Sequence, residues 1–287
     1  LAPLSLTTRV ARSALCIMIP RRPSAIVFLG PPGVGKGTYA KRVAKLLQAP
    51  HVVAGELIRR EIAARTPLGV QFEATIAAGY LLPDDTAFRM VGARLAAPDV
   101  AEAGAVLDGY PRTVDQARRL DEVADVGLVV NLAMREDALV AKLLGRCACS
   151  NCGRGYNSAT VHLLADCARG LPTVSLRPLL PPRGRCEECG CVRMERRADD
   201  TAATISNRLR EYHKTCSPVE EHYRELEAAA LGGGDGRGGR GGGPPLRVVD
   251  FEITAGIPET LPNLARAMLA TGAVNVGDGS EALRGVR

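Results

Sequence analysis

The run Gly30-Pro31-Pro32-Gly33-Val34-Gly35-Lys36-Gly37-Thr38 follows an apolar stretch at 25–29 and leads into a helical pattern at 38–47. A strand that ends in a Gly-rich loop and hands over to a helix aims backbone N–H groups, the positive helix end and one lysine at a single point. Such a point binds polyphosphate. The glycines allow positive φ and a close approach that a Cβ would block. The pattern G-x-x-x-x-G-K-[ST] fits from Gly30 to Lys36, but Gly37 follows the lysine and the hydroxyl comes one place later, at Thr38. Without a hydroxyl directly after the lysine, a Mg²⁺ ion here is held mostly by water and the nucleotide. The bland alternative, a Gly-rich turn before a helix, fits poorly with the lysine and the upstream strand.

With 287 residues and 46% hydrophobic content, the chain can bury one substantial core and a subsidiary piece, and no stretch resembles a membrane span. The net charge of +6 is modest, aromatics are 3% and Trp is absent, so stacking platforms for single-stranded nucleic acid are lacking. The basic residues suit a small anionic ligand and the surface. No acidic residue precedes Glu56, and residues 1–24 carry Arg9, Arg12, Arg21 and Arg22 among Ser, Thr and small apolar residues. That composition suits an organellar transit peptide, with a disordered basic leader as the alternative. Opening on Leu in place of Met implies a leader that has been cut or processed.

Short apolar runs at 25–29, 51–54, 105–107, 126–132 and 246–249 read as buried strands. Helical patterns lie between them at 38–47, 55–64, 68–78, 84–95, 113–121 and 137–144. The alternation predicts an α/β fold: a parallel five-stranded sheet of the P-loop type with helices on both faces. Ligands then bind at the carboxyl ends of the strands. Residues 146–197, rich in Cys, Pro and Arg, read as an inserted lid, and 232–245 as a flexible Gly-rich linker. An RNA-contacting role for that linker is disfavoured by its shortness and lack of aromatics. The core is then 25–145 and 198–271, with acceptor-binding helices at about 54–83 and a tail at 272–287.

GPPGVGKGT at 30–38, GELIR at 55–59, LDGYPRTVDQA at 107–117, RRADD at 196–200 and NRLREYH at 207–213 occur in that order. On these blocks the chain resembles the adenylate kinase family of nucleoside monophosphate kinases from residue 25 to about 269. PLLPP at 178–182 and GIPE at 256–259 are similar to plant plastid and mitochondrial members. The resemblance implies the reaction ATP + AMP ⇌ 2 ADP with Mg²⁺, a monomer, and a chloroplast or mitochondrial address. It implies catalytic roles for Lys36, Asp108, Arg112, Arg146, Arg197, Asp199 and Arg208. It further implies ATP contacts from Gly33, Val34, Gly35, Lys36, Gly37, Thr38, Arg146 and Tyr156. AMP contacts are implied for Ala54, Arg59, Leu82, Gly109, Arg112, Gln116, Arg197 and Arg208.

Physical chemistry supports an arginine-rich site, since moving a phosphoryl group between polyanions is mostly positioning and charge neutralisation. Guanidinium forks donate two parallel hydrogen bonds and stay charged. Asp199 and Asp200 match acidic family positions suited to hold the lid arginines, with capping or surface solvation the other role open to Asp200. Lys142 stands where many relatives have arginine. Ala54 stands where most adenylate kinases have threonine and resembles the UMP/CMP kinases, whereas Gln116 and the long lid resemble adenylate kinases. AMP is therefore the first acceptor, UMP or CMP the second, and a non-catalytic nucleotide or zinc module the third.

Nine cysteines without a secretory segment argue against a disulfide framework. Cys149-x-x-Cys152 and Cys186-x-x-Cys189 can present four thiolates to a structural Zn²⁺, with free thiols or a regulatory disulfide as the alternatives. Cys147, Cys167 and Cys191 are competing candidates.

Overall fold

The computed structural model describes residues 22–78, 80–196, 200–232 and 245–274. Most of the leader, the linker and the tail therefore lie outside the described residues, as do Arg197 and Asp199.

The chain runs β1 (Ser24–Leu29), α1 (Lys36–Leu47), β2 (His51–Val53), α2 (Ala54–Ala63), α3 (Pro67–Ala77), α4 (Asp84–Leu95) and α5 (Pro98–Ala103). It continues through β3 (Ala105–Asp108), α6 (Val114–Val123), β4 (Asp125–Ala133) and α7 (Glu136–Leu144). Then come β5 (Arg146–Cys149), β6 (Gly155–Asn157), β7 (Val161–Leu163), β8 (Val174–Leu176) and β9 (Met194–Arg196). The last elements are α8 (Ala202–Glu211), a π-helical turn (Tyr212–Cys216), α9 (Ser217–Gly232), β10 (Arg247–Glu252) and α10 (Ile257–Ala270).

Five strands form one sheet in the order β10-β4-β1-β3-β2, and every pairing is parallel. The central strand β1 is covered on both faces, which is why it reads as a continuous apolar run. Its alternate side chains divide between two cores. Ala25, Val27 and Leu29 pack with α4, α6 and α9 residues such as Leu95, Leu120 and Tyr223. Ile26 and Phe28 face Val43, Leu139, Leu143 and Leu264 of α1, α7 and α10. Fully burying a side chain such as Phe28 or Leu128 contributes about 1.5–3 kcal/mol.

Helix boundaries follow local chemistry. The helix predicted from 38 begins at Lys36, because Gly35 already turns the chain at φ 114°. Thr113, predicted as the first helical residue of α6, is its cap instead, its hydroxyl accepting from the Gln116 N–H at 3.1 Å. The sequence patterns gave no helix at α5, α8 or α10, and a helix without bounds before the linker, where α9 lies.

The 146–197 insertion has two parts. Strands β6-β5-β9 make a small antiparallel sheet that carries Cys147 and Cys149 and packs against Cys186, while β7 and β8 form a separate hairpin. That hairpin shares the main core, burying Val161, Val174 and Leu176. Ser175 N–H donates to the Thr254 carbonyl at 2.8 Å, and Arg135 Nη1 donates to the carbonyls of Leu164 and Pro172 at 2.7 and 2.9 Å. Among the described residues no helix is long and apolar enough to cross a membrane.

Candidate active site

The phosphate loop joins β1 to α1 at the carboxyl edge of the sheet. A Cβ at Gly30 would collide with the Leu132 carbonyl of β4, so the loop can leave the sheet only through a glycine, which holds φ at 130°. At Gly37 an ideal Cβ would lie 2.8 Å from Asp108 Oδ2 at the end of β3. The Asp108 carboxylate, itself 9% exposed, therefore reaches the helix start and would have to turn aside for a side chain at position 37.

Lys36 Nζ donates to the carbonyls of Gly30 and Pro31 at 2.6 and 2.9 Å, folding back over its own loop. Burial pushes its pKa down to about 8, with Asp108 opposing and Arg112 and Arg208 adding to the depression. These groups come from α1, β3, the β3–α6 loop and α8. Lys142 Nζ caps the Val34 carbonyl at 3.0 Å, and burial brings that ammonium to about 8 as well.

Ala54, 8% exposed, opens α2, and no side chain caps this helix. Arg59 curls back over Gly55, where a Cβ would lie 3.1 Å from its Nη1. Leu82 is buried before α4. Arg112 Nε donates to the Gly109 carbonyl at 2.9 Å. The Gln116 amide is buried and bonded on both sides, accepting from Arg112 N–H at 2.8 Å and donating to Asp84 Oδ1 at 2.7 Å.

The lid meets this centre through Asp200. Its carboxylate, 2% exposed, accepts a two-point bond from Arg146 at 2.5 and 2.6 Å and a third from Arg208 Nη1 at 3.2 Å. Of the two roles open to Asp200 from sequence, the structure displays arginine holding; Thr201 caps α8. Strand β5 of the lid and helix α8 are joined at this one carboxylate.

Cys149, Cys152, Cys186 and Cys189 gather with all sulfurs within 4.8 Å of one another. Tetrahedral Zn–S bonds of about 2.3 Å place sulfurs roughly 3.8 Å apart, whereas a disulfide needs about 2.05 Å. The Cys149–Cys189 and Cys152–Cys186 distances of 3.5 and 3.4 Å match the first geometry. The residues fit zinc. Tyr156 is buried among these cysteines, its hydroxyl accepting from Glu187 N–H at 3.0 Å. Glu188, inside the second cysteine turn, binds Lys41 of α1 at 2.6 Å and Arg154 at 2.9 Å, docking the knuckle on the phosphate-loop helix.

Two parts of this arrangement carried no sequence signal. Asp84 reads as a helix-start acid, and the Lys41–Glu188 contact spans 147 positions. An acidic pair directly after Pro83 marks a first turn, but nothing local shows that it reaches Gln116.

A parallel sheet whose first strand delivers a lysine-bearing phosphate loop, with Asp108 at its helix start and Arg146 and Arg208 gathered on Asp200, defines a P-loop phosphotransferase. Residues 28–228 match the profile of the family described as adenylate kinase. Adenylate kinase 1, chloroplastic, of Arabidopsis thaliana is 40% identical over 243 residues, covering 84% of this chain and 76% of that protein. An adenylate kinase of Solanum tuberosum is 38% identical over 243 residues (84% and 75%), and one of Thermosipho melanesiensis 38% over 207 (70% and 87%). The chain belongs to the adenylate kinase family and is an enzyme of ATP + AMP phosphoryl transfer; these relatives do not favour the UMP/CMP alternative. Kinases of this kind use Mg²⁺ with ATP.

Proposed function

We propose that Lys36, Arg112, Arg146 and Arg208 form the phosphoryl-transfer centre of this kinase, with ATP on the loop from Gly33 to Thr38 and AMP between α2, Leu82, Gly109 and Gln116. The observation that carries this reading is that Arg146 and Arg208 meet on the buried Asp200 carboxylate while Asp108 reaches the start of α1 next to Lys36. Arg59 and Arg112 would hold the AMP phosphate, and Arg146 and Arg208 the transferring group. Arg197 and Asp199 belong to the same reading by resemblance. No general base is needed, because the AMP phosphate is already a nucleophile near neutral pH. Bound with ATP, Mg²⁺ neutralises charge on the phosphates, and Asp108 is the carboxylate suited to orient its water.

Transfer from Mg-ATP to AMP, UMP and CMP at equal concentrations tests the acceptor assignment. The expected result is a clear AMP preference despite Ala54; faster turnover of UMP or CMP would overturn it.

The four lid cysteines are read as a closed structural zinc site, with no open position for substrate. Its place is to staple a lid that has little apolar core and that closes over the phosphates. Adenylate kinase lids are a general example of gating of this kind. Metal analysis of the purified protein is expected to give one zinc per chain. After stripping, assayed with Mg²⁺ restored, kcat/KM falls roughly tenfold while far-UV circular dichroism of the core persists. Unchanged rates and melting after stripping would sink the zinc staple. The plastid names of plant relatives and the basic leader composition support a chloroplast address, and the enzyme is read as a monomer.

A further inference from the structure

Gln116 is 2% exposed, and its amide is fixed from both ends. Oε1 accepts the Arg112 backbone N–H at 2.8 Å, and Nε2 donates to Asp84 Oδ1 at 2.7 Å. A backbone N–H can only donate and an ionised carboxylate can only accept, so these partners permit one orientation of the amide. The reverse orientation would set N–H against N–H and carbonyl against carboxylate. Asp84 is itself anchored: Oδ2 accepts from Thr113 Oγ at 2.9 Å, and that oxygen accepts the Gln116 N–H at 3.1 Å. The ring of bonds ties the first turn of α4 to the first turn of α6.

After these bonds the amide keeps one N–H and one carbonyl lone pair. We propose that Asp84 is a positioning residue that turns Gln116 into a discriminating reader of the acceptor base. This rests on the reading above that Gln116 faces that base. A glutamine free to rotate half a turn at its terminal torsion serves either order of donor and acceptor. Locked, it offers them in one order. That order complements a 6-amino purine, whose ring N1 accepts and whose exocyclic amine donates, and it opposes a 6-oxo purine, which presents N1–H beside a carbonyl. Among pyrimidines the lock suits cytosine and opposes uracil for the same reason, leaving size to separate cytosine from adenine. Mismatch leaves buried polar groups unpaired, the situation in which recognition sites discriminate most strongly.

The test compares kcat/KM for AMP and inosine monophosphate, which differ in shape only at the 6-position, at saturating Mg-ATP. Wild type is expected to prefer AMP. Asp84→Ala should shrink the AMP:IMP ratio at least ~10-fold with KM for ATP within about twofold of wild type. Asp84→Asn, which keeps a carbonyl acceptor for Gln116, should restore most of the ratio. Asp84→Ser, polar but too short to reach Gln116, is read beside the alanine variant so that a folding failure in one leaves the ratio measurable in the other. A wild-type ratio retained in both Asp84→Ala and Asp84→Ser, or equal losses on the two nucleotides, overturns the positioning role alone. Wild type using AMP and inosine monophosphate equally overturns the reading of Gln116 together with it.

Discussion

Lys36→Met is expected to lower kcat/KM for ATP about 10³-fold, the scale seen when one preorganised donor to a developing negative charge is removed. Its melting temperature should not fall, because burial disfavours the charged lysine and methionine carries no charge to desolvate. Loss of rate with retained fold would separate this residue from a structural one. A variant within tenfold of wild type would remove Lys36 from the phosphoryl-transfer centre.

The same side chain predicts a pH dependence. In the free enzyme its pKa is near 8, and a bound polyphosphate raises it by stabilising the ammonium. Binding is then strongest below the free-enzyme pKa and weakens as pH rises through 8 toward the higher pKa of the complex. In that window ATP affinity should drop by up to about tenfold per pH unit, with proton uptake visible by calorimetry in buffers of different ionisation enthalpy. Lys142, also near 8, steepens the fall if it too must recharge. Lys36→Met should lose its share of the slope; a flat profile between pH 7 and 9.5 in wild type would refute the linkage.

Asp200→Ala is expected to cost about 100-fold in kcat and about 2 kcal/mol in stability. The carboxylate is almost fully buried, and removing it leaves Arg146 and Arg208 close together without the group that holds them. Both arginines are about a fifth exposed, so solvent screens part of the repulsion and the stability loss stays below that of a fully buried pair. Asp200→Asn should recover part of the rate, since one oxygen can still accept. Turnover and melting unchanged in the alanine variant would show that the arginines organise themselves without Asp200.

These two residues illustrate what can be read along a chain and what cannot. Lys36 announces itself through its neighbours: glycines on both sides, a strand before and a helix after, all within ten positions. The alternation of apolar runs and helical patterns likewise predicts the five parallel strands, because a strand covered on both faces must be apolar throughout. The paired CxxC turns predict a four-sulfur cluster, since each turn brings its two thiols together locally. In all of these the chemistry and the spacing lie in the same stretch of sequence.

The rest depends on contacts between distant segments. Arg146 and Arg208 are 62 positions apart by numbering and meet only because β5 and α8 converge on Asp200. Gly37 and Asp108 are 71 positions apart by numbering, and only the packing of β3 beside α1 brings the carboxylate within 2.8 Å of a Cβ at 37. The β7–β8 hairpin reads as lid, yet Val161, Val174 and Leu176 find their apolar partners in the main core. Asp84 looked like an ordinary helix-start acid, and its partnership with Gln116 exists only once α4 packs beside α6. The sequence by itself determined the phosphate loop, the strand and helix alternation and the cysteine turns, because their physics is local. Only the tertiary structure decided which charge faces which, because electrostatic and hydrogen-bond partners are selected by distance in space, to which separation along the chain is no guide.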